Sequence, residues 1–325
     1  MNKELVLSYK TSKEIKPKAP YNFDATIFKP SHYPDQTKVY EIGKYWVGIR
    51  LNEQIYGIKM ESKGDTNNPQ ILLTIFSNHK LSNEEIKELT NELDYRFEFN
   101  KDISGFFSKF KNDKILAPFL KKWYGMHGSC AQDLYSLLMI GIFLQNTVVK
   151  RTVQMTNIML ERYGTKLSFE NKELYVFWEP KDIIKIPEEE LRSLKVGYRA
   201  KLFIKLSDTF VKENIDEFKL RKLSKEEAKE ELIKLYGVGP ETARILLQEA
   251  LHHYDLFEHV APWQQKILSQ LLFNKELVPV EEIIEYVNSK WGEWSSLAIH
   301  YVWEDIFWQR KQGNKIEWLD KEIRL

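Results

Sequence analysis

The 325-residue sequence is 43% hydrophobic and 29% charged, which is a globular composition with room for two domains. Its single cysteine, Cys130, excludes a disulfide framework or a four-cysteine cluster within the chain, and no apolar run approaches the roughly 18 residues of a membrane span. Lys and Arg total 48 against 47 Asp and Glu, so the net charge of +1 requires any nucleic-acid contact to use a locally basic face.

Residues 21–77 are predicted to form an antiparallel meander of β-strands. Segment 38–51 has β-branched and aromatic residues on both sides of Gly43, which predicts strand structure around a turn. Two further strand-like segments, 55–60 and 70–76, follow polar turns. This order of strands indicates an antiparallel sheet and not a βαβ repeat.

Helical spacing dominates the rest of the chain. Ser82 opens a capping box at the start of a predicted helix. Segment 134–144 is apolar on nearly every face, as in a buried helix, and residues 243–251 repeat apolar positions with the spacing of a core-facing helix. We therefore predict an α+β fold, with a small antiparallel β-sheet domain at 1–100 and an all-helical domain at 101–325.

The most informative segment is 232–243, which contains a Gly-Val-Gly turn between two predicted helices. Gly237 is suited to the left-handed conformation that ends a helix, and Pro240 is tolerated in the first turn of the next one. Such a turn presents free N–H groups beside the positive end of a helix dipole, which favours phosphate binding. For this motif alone, a tight helix corner without a ligand is an equally good interpretation.

Four further segments follow in a characteristic order around this hairpin. They are residues 142–151, 196–201 (with Gly-Tyr-Arg-Ala), 255–261 and 294–303. Together with the hairpin they resemble the helix-hairpin-helix superfamily of DNA glycosylases, specifically its 3-methyladenine and 8-oxoguanine branches, over about residues 20 to 310. The resemblance implies a base-excision repair enzyme with damaged double-stranded DNA as its partner. Such an enzyme flips the damaged base into a pocket before cutting the N-glycosidic bond.

The resemblance places the catalytic aspartate of the family at position 261, where this chain has Ala261. Cleavage builds positive charge on the sugar, and a nearby carboxylate stabilises it. Alanine offers neither charge nor acceptor, and Glu258, three residues upstream, is expected to point elsewhere. We predict that the chain binds damaged duplex without cutting it. An engineered Asp→Ala change is the simpler origin, and a naturally inert lesion-binding protein is the alternative.

Glu241 is the second departure from the family pattern. Bifunctional relatives carry a lysine two residues after the second hairpin glycine, where it forms a Schiff base and then cleaves the strand. A carboxylate cannot form an imine, so the parent enzyme is predicted to be monofunctional and to leave an abasic site.

The predicted DNA contacts come from three segments. By resemblance, Gln145 and Asn146 fill the space left by the flipped nucleotide, although polar side chains there also suit a helix cap. Tyr198 and Arg199 match residues that wedge the base stack and contact the orphaned base; a solvated surface cation is the alternative for Arg199. Residues 195–225 carry nine Lys or Arg and four Asp or Glu, which supports phosphate contact. The full predicted set is Gly237, Val238, Gly239, Thr242, Gln145, Asn146, Lys150, Arg151, Tyr198 and Arg199.

The predicted base pocket contains Trp303, Trp263, Ile299 and Ile245. Ile299 aligns with a glutamine that reads the base edge in the 8-oxoguanine branch, and an apolar residue cannot form that hydrogen bond. An aromatic pocket suits an alkylated, positively charged purine held by cation–π attraction. Alkylated purines are therefore the predicted substrates, with 8-oxoguanine read by backbone groups as the alternative.

No catalytic metal or cofactor is predicted, because His252, His253 and His259 do not have the spacing of a zinc site. The resemblance also implies an alkali ion held by hairpin carbonyls. The first 18 residues carry charges of both signs and no apolar segment typical of a secretory signal. The protein is expected to be a cytoplasmic monomer without a membrane partner.

Overall fold

A computed structural model describes residues 3–255, 257–314 and 316–322 of the chain. The N-terminal elements are β1 (Lys3–Val6), β2 (Tyr9–Ile15), α1 (Phe23–Ile27), β3 (Lys38–Glu41), β4 (Lys44–Leu51), β5 (Gln54–Ser62), β6 (Ile71–Ser77) and α2 (Asn83–Phe97). They are followed by α3 (Ser104–Phe110), α4 (Leu116–Lys122), α5 (Leu134–Leu144), α6 (Val149–Tyr163), β7 (Thr165–Phe169), β8 (Lys172–Val176), α7 (Pro180–Ile183) and α8 (Glu188–Leu191). The remaining helices are α9 (Arg199–Lys212), α10 (Glu217–Leu220), α11 (Lys225–Lys234), α12 (Pro240–Glu249), α13 (Pro262–Phe273), α14 (Val280–Trp291), α15 (Ser295–Lys311) and α16 (Glu317–Glu322). Within the described ranges, no helix has the length and apolar character that crossing a membrane requires.

The first sheet has five antiparallel strands in the order β2-β6-β5-β4-β3, and it contains the predicted meander. Gly43 has φ +72° in the turn between β3 and β4, while Asn52 and Glu53 both have positive φ between β4 and β5. Positive φ at both central residues matches the right-handed twist of the flanking strands. Helices α1 and α2 pack on this sheet, and α2 begins at the predicted capping box of Ser82 and Glu85.

A second sheet shows that residues 101–325 are not all-helical, and that part of the prediction was wrong. Strands β7 and β8 form an antiparallel hairpin, and β1 pairs in parallel with β7. Burial alternates along β7, and its Leu167 and Phe169 pack against Trp46 and Phe76 of the first sheet. The alternating pattern is short and its apolar partners are distant along the chain, so helical spacing on both sides concealed it.

Helix α5 lies at the centre of the helical body, in contact with α6, α9 and α12. Its Met139 and Phe143 are fully buried, as expected for a helix that is apolar on every face. A second core joins α3, α4 and α13 to α15, and Ala25 of α1 contributes to it. Residues from both sides of position 100 therefore share one core, which fixes the sheet against the C-terminal helices.

Candidate functional site

The glycine hairpin between α11 and α12 is exposed at its tip and anchored at its centre. Gly237 has φ +82°, the left-handed conformation predicted for it, and the Val238 side chain is buried beneath the turn. Gly239 is the exposed N-cap residue of α12, and no atom lies within 4 Å of the position a Cβ would take. The first N–H groups of α12 are thus approachable, as a phosphate site requires.

The end of α5 forms a loop that we call the probe loop, residues 144–148. Gln145 ends the helix with extended backbone, and Asn146 has φ +47° and is exposed. The Asn146 amide nitrogen lies 3.4 Å from the hydroxyl of Tyr198, whose side chain is 45% exposed. The predicted probing residues and the predicted wedge are therefore adjacent in space.

Arg199 is buried, so the alternative of a solvated surface cation is wrong, while its contact with DNA stays a prediction. Its side chain is buried, Nε donates to the Ile142 carbonyl at 3.0 Å, and Nη2 donates to the Gln145 carbonyl. These carbonyls belong to the end of α5, where the usual N–H donors of a helix run out, and the Ile142 carbonyl has only the Gln145 N–H at 3.3 Å besides Arg199. Arg199 therefore fixes the base of the probe loop, and Tyr198 is the outward-facing member of the pair.

The remaining predicted contacts lie on the same surface. Arg151 donates to the Lys195 carbonyl, while Lys150 is exposed. Helix α5 packs against both α9 and α12, and a Cβ placed on Gly141 would lie 3.9 Å from Thr242. We call this surface, formed by the probe loop, the hairpin and the start of α9, the hairpin face.

Sequence reasoning missed several exposed apolar side chains around the hairpin. Leu144, Val148 and Tyr236 are each about two-fifths exposed or more, as is Ile245, which was predicted for the base pocket. Lys205 lies over the Tyr236 ring at 4.6 Å. Large apolar groups left in water beside cations are suited to stacking and packing against nucleotides.

Ala261 is the N-cap residue of α13 and is buried, with only 5% of its surface exposed. The Gln264 side chain accepts a hydrogen bond from the Ala261 N–H at 3.2 Å, which is one half of a capping box. The other half needs a side-chain acceptor at position 261, and alanine has none. A residue such as aspartate, asparagine or serine at this position would complete the capping box.

Glu258, three residues before Ala261, is directed toward α11, in agreement with the expectation that it points elsewhere. It forms ion pairs with Lys225 at 2.7 Å and with Lys229 at 3.6 Å, both on α11. Partial burial acts to raise the pKa of Glu258, but the hydrogen bond and charge of Lys225 outweigh it and hold that pKa below its usual value. Its charge is already engaged with these two lysines.

Glu241 lies in the first turn of α12 and links that helix to the loop before Ala261. Arg244 donates two hydrogen bonds to its carboxylate, at 3.1 and 3.0 Å. The same carboxylate is 3.0 Å from Nε2 of His259, two residues before Ala261. Sequence reasoning identified Glu241 only as a missing lysine; the contact with His259 joins distant segments and has no local signal.

The predicted base-pocket residues come from different elements. Ile299 and Trp303 lie one turn apart on α15, both partly buried, and the Trp303 ring packs against Phe307 with centroids 5.4 Å apart. Ile245 is on α12. The Trp263 side chain lies outside the described part of the structure.

A buried polar cluster next to Trp303 was not predicted. Lys29 Nζ donates to the His127 carbonyl at 2.6 Å and lies 3.1 Å from Nε2 of His300, and Ser31 donates to Glu304. Burial lowers the pKa values of Lys29 and His300 and raises that of Glu304. Helix α15 therefore carries buried polar groups as well as Ile299 and Trp303, and the aromatic and aliphatic base pocket stays a prediction.

Within the described ranges, no group of three or more His, Cys, Asp or Glu side chains is arranged to hold a metal ion. The His252 ring stacks on Tyr95 at 4.2 Å, and His259 pairs with Glu241. The absence of a catalytic metal stays a prediction.

Comparisons with known proteins show what the chain is similar to. No family model matches the chain. A DNA-3-methyladenine glycosylase of Bacillus subtilis (strain 168) is 23% identical over 225 residues, covering 68% of this chain and 73% of that protein. The 3-methyladenine DNA-glycosylase from Archaeoglobus fulgidus superposes with a TM-score of 0.76 at 19% identity, over 94% of this chain and 100% of that one. The Clostridium acetobutylicum 8-oxoguanine glycosylase/lyase, in complex with dsDNA containing cytosine opposite to 8-oxoG, gives a TM-score of 0.66 at 19% identity, over 94% and 99%.

The relatives and structural neighbours are thus 3-methyladenine and 8-oxoguanine DNA glycosylases, which confirms the resemblance predicted from the motifs. Their fold, with antiparallel sheets and many helices, is shared over nearly the whole chain.

Proposed function

We propose that this protein has the architecture of a monofunctional DNA glycosylase. It binds damaged double-stranded DNA and flips a damaged purine. The observation that carries the proposal is the hairpin face, where the exposed hairpin tip, the probe loop and Tyr198 lie side by side. The Glu241 to His259 contact ties this face to the start of α13. One surface can therefore hold the backbone, fill the vacated stack and present the sugar to position 261.

The chemistry at that position is weakened by Ala261. As the N-glycosidic bond breaks, positive charge develops on the sugar, and a carboxylate at the start of α13 would stabilise it. With alanine there, the chain is expected to bind damaged duplex and to release the base far more slowly than an aspartate variant. Glu241 stands where a strand-cleaving enzyme needs an amine, so the product of base release is an intact strand with an abasic site.

Alkylated purines are the proposed substrates, because Trp303 offers a π face to a positively charged base. The buried cluster of Lys29, His300 and Glu304 favours a second candidate, a neutral oxidised purine such as 8-oxoguanine, since these groups can hydrogen-bond a base edge. An inert lesion-binding protein is the third candidate, and it predicts that no change at position 261 creates activity.

We propose that the protein is a cytoplasmic monomer that uses no cofactor. The hairpin turn, residues 235–239, has no polar side chain except the Tyr236 hydroxyl. An alkali ion at the turn would therefore be held by backbone carbonyls, in contact with the bound DNA backbone.

The test compares the unmodified chain with Ala261→Asp and Ala261→Asn on duplexes that each carry one defined alkylated or oxidised purine. Both variants add an N-cap acceptor, worth about 1 kcal/mol of unfolding free energy, but only aspartate adds the charge. In single-turnover assays, Ala261→Asp is expected to release base at least about 100-fold faster than the other two proteins.

Two outcomes would contradict the proposal. Equal rates for all three proteins would show that position 261 does not face the sugar. Inertness of Ala261→Asp on every lesion, with tight binding retained, would support the lesion-binding protein instead.

A further inference from the structure

We infer that Glu241 supplies the carboxylate for a slow base release by the chain as it stands, in place of the one missing at position 261. This inference rests on the proposed function and identifies a catalytic residue for it. It follows from where the Glu241 carboxylate is held, how it is oriented and from which side it can be reached.

The position of the Glu241 carboxylate is defined by its contact with His259. The Glu241 carboxylate lies 3.0 Å from Nε2 of His259, and His259 and Ala261 are two residues apart. Two residues of extended chain span at most about 7 Å, and the His259 side chain lies between that chain and the carboxylate, so this contact places Glu241 against the loop that leads into position 261. It approaches from α12, whereas an aspartate at 261 would approach from α13.

The orientation of the Glu241 carboxylate is fixed by Arg244 and His259. Arg244 holds the Glu241 carboxylate through two hydrogen bonds, from Nε and Nη2, which fixes the plane of the carboxylate. His259 fixes the same group from the opposite helix start. A charge held in place by its surroundings needs little reorganisation when positive charge appears beside it.

The Glu241 side chain is accessible from the surface of the hairpin. The Glu241 side chain is 34% exposed and comes two residues after Gly239, at the exposed tip of the hairpin. A nucleotide whose phosphate sits on the hairpin therefore brings its sugar toward Glu241. Glu258 also has two ion-pair partners, but they are Lys225 and Lys229 at the start of α11, whereas Glu241 is held beside the hairpin tip.

The reaction balances without another reagent. The bond between C1′ of the sugar and the purine nitrogen breaks, and its electron pair leaves with the base, so a cationic alkylated purine departs neutral. The Glu241 carboxylate faces the positive charge left on the sugar. Water then adds to C1′ through its oxygen and gives a proton to the carboxylate, which releases it to solvent. The products are a free base and an abasic site.

The experiment measures single-turnover release of 7-methylguanine from duplex DNA by the full chain and by Glu241→Gln. Glu258→Gln is the matched control, because it removes an equal charge from the loop before Ala261. We expect Glu241→Gln to lower the release rate at least tenfold and Glu258→Gln to change it less than twofold. In the Ala261→Asp background, Glu241→Gln should cost less than threefold, since the aspartate takes over.

Melting temperature and duplex affinity are measured for every variant, and both should be unchanged in Glu241→Gln apart from a modest gain in affinity. If Glu241→Gln folds poorly, Glu241→Asp replaces it; this variant keeps the charge but shortens its reach, and an intermediate rate is expected. Equal rates for the full chain and Glu241→Gln would overturn the inference, as would a full chain no faster than the uncatalysed reaction. Activity of Ala261→Asp then shows whether the proposed function survives.

Discussion

Arg199 is buried beneath the hairpin face and supports the probe loop. Its guanidinium closes the last turn of α5 by donating to the carbonyls of Ile142 and Gln145, and it lies 4.9 Å from the Tyr198 ring. The buried cation therefore positions the two residues that the duplex would meet, Tyr198 and Asn146. Removing it should disturb the probe loop before it disturbs any single base contact.

Arg199→Ala and Tyr198→Ala should consequently have different effects. Arg199→Ala removes a buried guanidinium that donates to two carbonyls, and it is expected to lower the free energy of unfolding by about 2 kcal/mol. The Ile142 carbonyl then keeps only the Gln145 N–H at 3.3 Å, and the Gln145 carbonyl only the Tyr198 hydroxyl at 3.5 Å. Tyr198→Ala removes an exposed ring, so stability should change by less than about 1 kcal/mol while duplex affinity falls roughly tenfold through lost stacking. Denaturant melts and binding to duplexes with each base opposite the lesion measure both effects. A stable Arg199→Ala that loses affinity for one partner base only would show that Arg199 reads the orphaned base directly.

Local patterns in the sequence predicted those parts of the site whose signal is local. The glycine hairpin, the capping box of α2 and the bounds of buried helix α5 all depend on residues within a few positions of each other. The burial of Arg199 and the contact of Glu241 with His259 were not predictable in this way. They join segments whose separation in space is set by helix packing, and a charged side chain carries no periodic pattern that reports it.

At the scale of elements, the hairpin contains two glycines that differ in backbone conformation and in surroundings. Gly237 has φ +82°, where a side chain is strained, whereas Gly239 has φ −93° and open space at its Cβ position. Gly237 is thus required by the fold of the turn. Gly239 can be replaced without strain, so a substitution there tests the proposed phosphate contact of the hairpin.

Gly239→Arg should therefore fold normally and bind all duplex sequences about equally less well, despite the added positive charge. The long side chain blocks phosphates from the first N–H groups of α12. Gly237→Ala should instead lose about 1–2 kcal/mol of unfolding free energy. Ile42→Arg, an exposed position in the β3–β4 turn of the sheet, adds the same charge elsewhere and serves as control. Unchanged or tighter binding by Gly239→Arg in fluorescence anisotropy would make the hairpin a structural corner only.

The β7–β8 hairpin was not predicted from sequence patterns, and neither were strands β1 and β2. A Cβ placed on Gly57 of β5 would lie 2.7 Å from the Phe169 ring, so the glycine makes room for the hairpin to lie on the first sheet. No residue near Gly57 in the sequence indicates the contact with Phe169, because this ring comes from another part of the chain. Glycine within a strand is a general sign of close approach, but it does not identify the partner.

At the scale of the whole molecule, buried charges join the N-terminal sheet unit to the helical body. Arg221 near α10 forms ion pairs with Glu92 of α2 and with Glu217, and Glu92 also pairs with Arg96. Removing one partner from such a network leaves a buried charge uncompensated, which is strongly destabilising. These contacts hold α2 against the helices that carry the hairpin face, so the sheet and the site behave as one structure.

Glu98, the residue that ends α2, should make this junction sensitive to acid. It is almost fully buried, 2.7 Å from Lys101, 3.5 Å from His127 and 3.8 Å from His252. Burial acts to raise the pKa of Glu98, but His127 and the positive charge of Lys101 outweigh it and lower that pKa from 4.5 to about 2. A lowered pKa means that the unfolded chain takes up the proton first, so this stabilisation is complete above about pH 4.5 and is lost as the pH falls toward 2.

Glu98→Gln should therefore be less stable than the unmodified chain at pH 7, by on the order of 3 kcal/mol, and the difference should shrink steadily below pH 4.5. The reason is that a protonated Glu98 resembles glutamine, so the two proteins converge once the carboxylate is neutral. Guanidinium unfolding at pH 7, 5, 4 and 3 measures the difference. Glu88→Gln removes an exposed carboxylate from the same helix and should change stability by less than about 0.5 kcal/mol at any of these values. A gap between Glu98→Gln and the unmodified chain that stays constant from pH 7 to 3 would mean that the shape of this side chain, and not its charge, holds the sheet unit to the helices.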